Sequence, residues 1–592
     1  MAVYKAPLND MHFLLNEVFD VKTHLSQLES SGDIDTDIVE AILEESGKIS
    51  ENLLLPLNAI GDELGCQHNG DEVKTPEGFK EAFKTFCEAG WTSIGGAQEF
   101  GGQGLPKMVQ VLVEEMFYST NTSFFLYSSL SNGAYQALSE HGTDSLKQLV
   151  LPKLMDGTWS GTMCLTESHA GTDLGLMKTK AEPTGNDTYK ITGSKIFITG
   201  GEHDLTDNIV HLVLAKLPDA PAGSRGISLF LVPKFKFAEN GKLGERNPIF
   251  CGSIEKKMGI KGSATCVMNM DEAEGYLIGE PHQGLKCMFT MMNTERLSIG
   301  LQGVGSSEIS YQSAVAYAKD RLQGKGVQPK SSGAEPIIVH PDVRRMLLTM
   351  RAYNEAMRAF AVWAGAYIDK DHYGTDEAGK AHANAMVSFL TPIAKAFFTD
   401  IGFEMSNEGL QVFGGHGYIS EWGMEQLVRD ARIAQIYEGT NGIQALDLVG
   451  RKLVFNQGAV FEQYAGEVKN FIEQNQSNKA IENILNQLTS NLKLVEETTQ
   501  HILSVSAKDK NEIGAASVDY LRLVGLNICA YMWARMMLAT TQETKLQTED
   551  FYKAKAITAD FFFKRVLPES LGLSEKVKAG AESIMALDEA LF

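Results

Sequence analysis

The hydrophobic period of this chain changes twice, and that change limits what it can fold into. To about residue 160, apolar side chains recur at helical spacing, as in Met11-His-Phe-Leu-Leu-Asn-Glu-Val-Phe19 and Ile38-Val-Glu-Ala-Ile-Leu43. From 161 to 280 the texture alternates and favours β-branched residues. The runs are Thr188-Tyr-Lys-Ile-Thr192, Lys195-Ile-Phe-Ile-Thr199, Ile209-Val-His-Leu-Val-Leu-Ala215 and Ile227-Ser-Leu-Phe-Leu-Val232. Gly, Asp, Asn and Pro clusters separate them, so an antiparallel sheet or barrel is predicted. Near Gly284 the helical period returns and lasts to about 455, with long apolar-striped segments from Arg344 to Tyr367 and from Ala378 to Phe403. A further helical block follows, with helices expected near 461–505, 512–542, 548–566 and 575–591. The order predicts an α+β fold, mainly α, with a small β domain framed by helical bundles. The expected divisions are an N-terminal extension (1–35), a helical domain (36–160), a β domain (161–280), a helical bundle (281–455) and an additional helical domain (456–592).

The chain has 592 residues and a formal net charge of -22. Such acidity repels phosphate backbones, and no Lys/Arg-rich run offsets it, so no nucleic-acid partner is expected. Seven cysteines, at 66, 87, 164, 251, 266, 287 and 529, form no CxxC pair. They read as reduced thiols, and no metal site is expected. The opening carries acids early and fits neither a secretory signal nor an Arg-rich transit peptide. No uninterrupted apolar run reaches about 18 residues, so no stable membrane anchoring is expected. The expected location is cytoplasmic.

Four segments can carry chemistry. In Ala431-Arg-Ile-Ala-Gln-Ile-Tyr-Glu-Gly-Thr-Asn-Gly-Ile-Gln444, a helix runs into Tyr437, Gly439 breaks it, and Thr440 or Asn441 can cap the next helix. That helix is expected to place Ile443, Leu446, Val449 and Leu453 on one face. Glu438 then sits at an interruption between apolar helices, where poor solvation raises a carboxyl pKa toward neutrality. Spacing alone leaves two readings of it, a proton acceptor or a helix cap. Met163-Cys-Leu-Thr-Glu-Ser-His-Ala-Gly-Thr-Asp173 and Lys195-Ile-Phe-Ile-Thr-Gly-Gly201 combine glycines with hydroxyls that can bind a polar heterocycle or phosphate. Gln411-Val-Phe-Gly-Gly-His-Gly-Tyr418 permits close backbone approach to a ligand, but it lacks the strand and ribose-binding acid of a Rossmann motif. Arg296 and Arg321 lie on one long expected helix and can reach phosphates, or can be plain surface arginines. A glycine-rich loop at 95–106 lacks the Lys-Ser/Thr ending of a P-loop and reads as a turn-rich connection.

Together these segments resemble the acyl-CoA dehydrogenase family over roughly residues 40–450. IYEGTNGIQ is the most specific mark; TESHAGTD, KIFITGG and FGGHGY are similar to the family's flavin-site segments. The opening and the extra C-terminal helices look like the long branch of that family, which implies a fatty acyl-CoA or 3-methylmercaptopropionyl-CoA substrate. The resemblance implies FAD as cofactor, electron-transfer flavoprotein as electron acceptor, and a homo-oligomer, most simply a dimer. It also implies Glu438 as the base that removes the α proton before hydride passes to FAD. By the same carry-over, Met163, Leu165, Thr166, Thr172, Phe197, Thr199, Arg321, Gln323, Gln411, Gly414, Gly415 and Thr440 match cofactor positions. Thr172, Asn293, Arg296, Tyr437 and Gly439 match positions near the substrate.

Two departures stand out. Ser168 and His169 replace the family's usual Pro-Gly. Glu295 stands where some branches place their base, so two carboxylates compete, and the intact motif around Glu438 favours the later one. The rival readings are an acyl-CoA oxidase that uses O2 and a DNA-associated flavoprotein of the same superfamily. The block after residue 456 is expected to widen or cover the CoA entrance.

Overall fold

The computed structural model describes residues 2–29, 34–330, 332–543 and 545–592, and the side chains of residues 293 and 294 lie outside that description. Two compact units form. One combines Met1–Lys48, Pro106–Ser119 and Arg296–Phe592; the other combines Ile49–Leu105 and Thr120–Glu295.

The second unit holds the alternating region. Its seven-stranded sheet comprises β1 (Trp159–Cys164), β2 (Lys180–Pro183), β3 (Tyr189–Thr199), β4 (Asn208–Lys216), β5 (Ile227–Pro233), β6 (Ile249–Ile254) and β7 (Thr265–Ile278). The path runs β6-β7-β3-β2-β4-β1, and β5 pairs with both β7 and β4, which closes a barrel. Pairing is antiparallel except that β4 runs parallel to β1, from Trp159↔Asn208 to Cys164↔Val213, and meets β2 at Lys180↔Lys216. Strands β2 and β3 lie between β1 and β4 in sequence, so the connection is long enough for a parallel crossover. The two runs predicted around 188–199 are one strand, β3, which bends at register shifts opposite β7. β4 and β5 are buried almost throughout, which explains their unbroken apolar runs. The otherwise helical opening also contains a small hairpin, Gln67–Asn69 with Glu72–Lys74, turned by Gly70 at φ 68.

The first unit is helical. Helix Gly284–Asp320 from Arg296 onward, helix Pro341–Tyr373 and helix Glu377–Phe413 supply its long elements. Gly303 and Gly402 let the first and third of these touch: a Cβ on Gly303 would lie 2.0 Å from the Phe398 carbonyl oxygen, and one on Gly402 2.4 Å from the Gly303 Cα. In the C-terminal block, the segment predicted as one helix over 461–505 is two, Ala459–Asn475 and Glu482–Ser506. Between them the wholly polar Gln476-Ser-Asn-Lys479 supplies no apolar stripe to carry a helix through. The last predicted helix ends at Lys578, followed by the short Glu582–Met585. Helix Asn511–Ala539 is the hub of the block and packs on Asn441–Leu446 and the segment after it. This helix and Glu377–Tyr418 are long and apolar enough to cross a membrane by length and hydropathy, and most of each such stretch is buried inside the protein.

A candidate active site at a left-handed turn

Helix Met424–Arg432 tightens into a 3₁₀ turn, Ile433–Gln435, so the helix stops earlier than its sequence suggests. The chain then takes left-handed backbone twice, at Glu438 (φ 55) and Gly439 (φ 82). For glycine this is ordinary; for a glutamate it costs roughly 1–3 kcal/mol and persists only where the surroundings enforce it. Thr440, not Asn441, caps the next helix, with its hydroxyl accepting from the Ile443 N–H at 3.4 Å. Asn441 instead turns inward, donating to Asp400 Oδ1 at 2.7 Å, Thr399 Oγ1 at 2.9 Å and the Ala396 carbonyl at 3.2 Å. After Leu446 the helix widens into a π-helix, Asp447–Val454. The wider turn rotates the apolar stripe, so Leu446 is exposed while Leu448, Val449 and Leu453 are buried.

The turn is held from two sides. Gln444 Nε2 donates to the Glu438 carbonyl at 3.1 Å. The buried Lys395 ammonium donates to the Gly439 carbonyl and to Asn441 Oδ1, each at 2.8 Å. Tyr437 Oη donates to Gln302 Oε1 at 2.5 Å. Glu438 as a residue is half-buried, but its carboxyl Oε2 is inaccessible and has no hydrogen-bond partner among the described residues. Burial pushes this carboxyl up to about 6, against the lowering fields of Arg296 and Lys395. Arg296 is thus part of the electrostatic surroundings of Glu438, beyond any contact with a substrate.

In the β unit, two separated segments are joined. Lys195 Nζ donates to the Leu165 carbonyl at 3.0 Å and to Glu167 Oε1 at 2.9 Å, and the Ile196 N–H donates to the Thr166 carbonyl at 2.9 Å. Thr166 and Thr199 stay partly accessible beside this brace, as do Met163 and Leu165. Phe197 is 59% exposed and left-handed at φ 61. An exposed aromatic on strained backbone is what a stacking site for a flat ring needs. Thr172 lies exposed on the following loop, and His169 closes that loop by bonding the Leu176 carbonyl at 3.2 Å.

Burial pushes the Glu167 carboxyl up, but the Thr179 hydroxyl, the Lys195 ammonium and the Lys178 N–H outweigh it and hold it at about 2. Its contribution to stability is therefore present above about pH 4.5 and is lost as pH falls toward 2. Glu167→Gln is expected to lower the unfolding free energy at pH 7 by on the order of 2–3 kcal/mol. In urea titrations the gap from wild type should shrink steadily as pH falls from 4.5 to 3.

In the helical unit, Tyr317 stacks on Phe413 at 4.1 Å and its hydroxyl bonds His416 Nδ1 at 2.9 Å. That contact sets the end of helix Gly284–Asp320 beside the Gly414–Tyr418 turn. Arg321, Gln323, Gln411, Gly414 and Gly415 are all exposed there. A side chain at Gly414 or Gly415 would meet nothing within 4 Å, so their backbone is open to a ligand.

Four family profiles match in chain order: acyl-CoA dehydrogenase N-terminal domain (66–158), middle domain (162–273) and C-terminal domain (282–453), and the acetyl-CoA dehydrogenase C-terminal-like domain (464–588). The chain is 41% identical to 3-methylmercaptopropionyl-CoA dehydrogenase of Ruegeria pomeroyi, over 98% of this chain and 99% of that protein. The chain belongs to the acyl-CoA dehydrogenase family.

Two solved structures share the fold over nearly the whole length of this acyl-CoA dehydrogenase. Caenorhabditis elegans ACDH-11 in complex with C11-CoA has a TM-score of 0.76 at 19% identity, covering 98% of this chain and 95% of that one. Acyl-CoA dehydrogenase complexed with FAD from Bacillus anthracis has a TM-score of 0.74 at 21% identity, covering 97% and 92%. Acyl-CoA dehydrogenases are FAD-dependent, and this chain fits the cofactor: exposed hydroxyls and an exposed aromatic suit a flavin ring, and the open glycine backbone with Arg321 suits a diphosphate.

Asn293 has its side chain outside the described residues. Glu295 is buried in its helix, its Oε1 lying where a Cβ on Gly133 would come within 2.6 Å. Sequence reasoning passed over Lys395, Gln444 and Gln302. For Lys395 a signal existed: a lone cation inside Leu390-Thr-Pro-Ile-Ala-Lys-Ala-Phe-Phe398, where nothing else is charged.

Proposed function

We propose that this enzyme dehydrogenates an acyl-CoA thioester between its α and β carbons, with Glu438 as the base. The observation that carries the reading is the buried, unpartnered Glu438 oxygen on a left-handed turn. Desolvation brings the carboxyl close to working pH, where it is ionised yet still basic enough to take the α proton. The accumulating charge on the thioester oxygen calls for fixed donors, and the Glu438 N–H is the one we assign. Bound FAD would supply the hydride acceptor for the β hydrogen. Met163, Leu165, Thr166, Thr172, Phe197 and Thr199 would hold its ring side. Thr440, Arg321, Gln323, Gln411, Gly414 and Gly415 would hold its diphosphate and adenosine side, with Arg321, Gln411, Gly414 and Gly415 reaching it across a homodimer interface. Thr172, Asn293, Arg296, Tyr437 and Gly439 would line the substrate site.

We assign electron-transfer flavoprotein as electron acceptor. We take the substrate to be 3-methylmercaptopropionyl-CoA or a fatty acyl-CoA, the first supported by the likeness to the Ruegeria pomeroyi enzyme. Seven thiols, five of them buried and none in a disulfide, support a reducing compartment, and we place the enzyme in the cytoplasm.

The test is an anaerobic titration of the purified holoenzyme with thioesters of graded chain length, the methylthio compound included. One thioester is expected to bleach the flavin at stoichiometric concentration. A protein that takes up no flavin, or whose flavin no thioester bleaches, refutes the assignment. Steady peroxide formation in air without an added carrier would replace the flavoprotein acceptor with oxygen.

A further inference from the structure

We propose that Lys395 is a positioning residue for Glu438: its ammonium clamps the left-handed turn through the Gly439 carbonyl and Asn441, and its charge favours the ionised carboxylate. This rests on the assignment of Glu438 as base and extends it to a residue that touches no reacting atom.

Three observations meet at this side chain. Lys395 is completely buried in helix Glu377–Phe413, where an unneutralised ammonium is costly. Two of its donors are spent on either side of Thr440, on the Gly439 carbonyl and Asn441 Oδ1. Asn441 is itself fixed by Ala396, Thr399 and Asp400 of the same helix, so the turn is tied to a rigid element at several points. A left-handed glutamate needs such enforcement. Without the clamp, the turn can relax and swing the carboxylate away from its line of attack, a loss of orientation that is expensive in rate.

The surrounding charges are few. Glu438 is faced by Arg296 from helix Gly284–Asp320 and by Lys395 from helix Glu377–Phe413. Lys395 also feels Asp400, and Arg296 feels Asp447 and Arg451 of the π-helix that follows the turn. Asp400 in turn feels Glu404 and Arg522. Burial lowers Lys395 to about 7, against the raising fields of Glu438 and Asp400. The base and its clamp thus change charge in neighbouring pH ranges.

The test uses holoenzyme and reads the carboxyl directly. Infrared difference spectra between wild type and Glu438→Gln, taken across pH 5–9, isolate the protonated Glu438 stretch, because every other carboxyl cancels. In wild type its midpoint is expected near 6. In Lys395→Met the midpoint should rise by about one pH unit or more. In the same variant kcat should fall at least about tenfold at pH 7 and partly recover at pH 9, with KM little changed. Lys395→Arg keeps the cation and should hold the midpoint near wild type. Lys395→Met with bound flavin, a wild-type melt and an unmoved midpoint overturns the proposal. Should Lys395→Met not fold, a Lys395→Arg midpoint displaced by a full pH unit overturns it instead. If Glu438→Gln keeps turnover, the base assignment fails, whatever Lys395 does.

Discussion

Glu438→Gln should lower kcat/KM for acyl-CoA by about 10²–10⁴-fold while flavin stays bound. Glutamine matches the shape of glutamate but offers no basic oxygen, so the substitution removes proton abstraction and leaves the turn intact. The same residue sets the pH profile. Only the ionised form accepts a proton, so kcat/KM should rise with pH through about 6 and level off above it. The variant should also be more stable than wild type at alkaline pH. The folded-state carboxyl lies at about 6 against an ordinary 4.5, so ionising it opposes folding as pH rises through that window. The gain should be near zero at pH 4 and about 2 kcal/mol at pH 8. Steady-state kinetics and urea unfolding at both pH values check the two halves. A variant as active as wild type, with Glu295→Gln dead in its place, would move the base to Glu295. A gain in stability together with a loss of rate would mark a group kept for chemistry at the expense of the fold.

The sheet and the long helices were legible from sequence texture: short β-branched runs, alternating or unbroken, between turn residues from 161 to 280, and a 3.6-residue period on either side. Periodicity failed where the helix itself changed pitch. Leu446 fits the stripe of an α-helix starting at Asn441, but the π-helix Asp447–Val454 turns it outward. It failed again at residues 476–481, where the run expected from 461 to 505 divides in two. For the site, the motif around Glu438 gave the position of the turn, and Thr440 capped as its residue type allows. What no local pattern could give is the set of partners brought from afar. Lys395 lies 43 residues from Glu438 and Arg296 lies 142 away, yet both place charge on that carboxyl. Gly303 and Gly402 likewise look like helix-weakening residues until the two helices are seen to need them at one crossing.

The same reasoning applies on a larger scale to Arg358, where the second large effect is expected. Apolar stripes predict helices that bury hydrocarbon, but helix Pro341–Tyr373 buries this guanidinium with only 1% of it exposed. Arg358 bonds Asp10 at 2.5 Å, Glu308 at 2.9 Å and Glu115 with two nitrogens. Asp10 also bonds the buried Lys555 of helix Glu549–Phe561, which pairs with Glu355 at 2.9 Å. The opening of the chain, its central helices and its last block therefore meet in one buried charge network. Burial is already opposed there: it pushes Glu115 up to about 7 even with Arg358 in contact. Arg358→Met would leave three carboxylates facing one another without their shared cation, and breaking such a network typically costs about 3–5 kcal/mol. Because Arg358 and Lys555 share Asp10 as their partner, the loss should reach both ends of the chain. Hydrogen exchange should then speed up in Leu8–His12 and Glu549–Phe561 as well as around Arg358. A variant that melts like wild type, or whose exchange rises only in helix Pro341–Tyr373, would show that the terminal segments hold by apolar packing alone. The double variant Arg358→Met, Glu115→Gln should recover part of the loss, because one uncompensated charge leaves with its former partner.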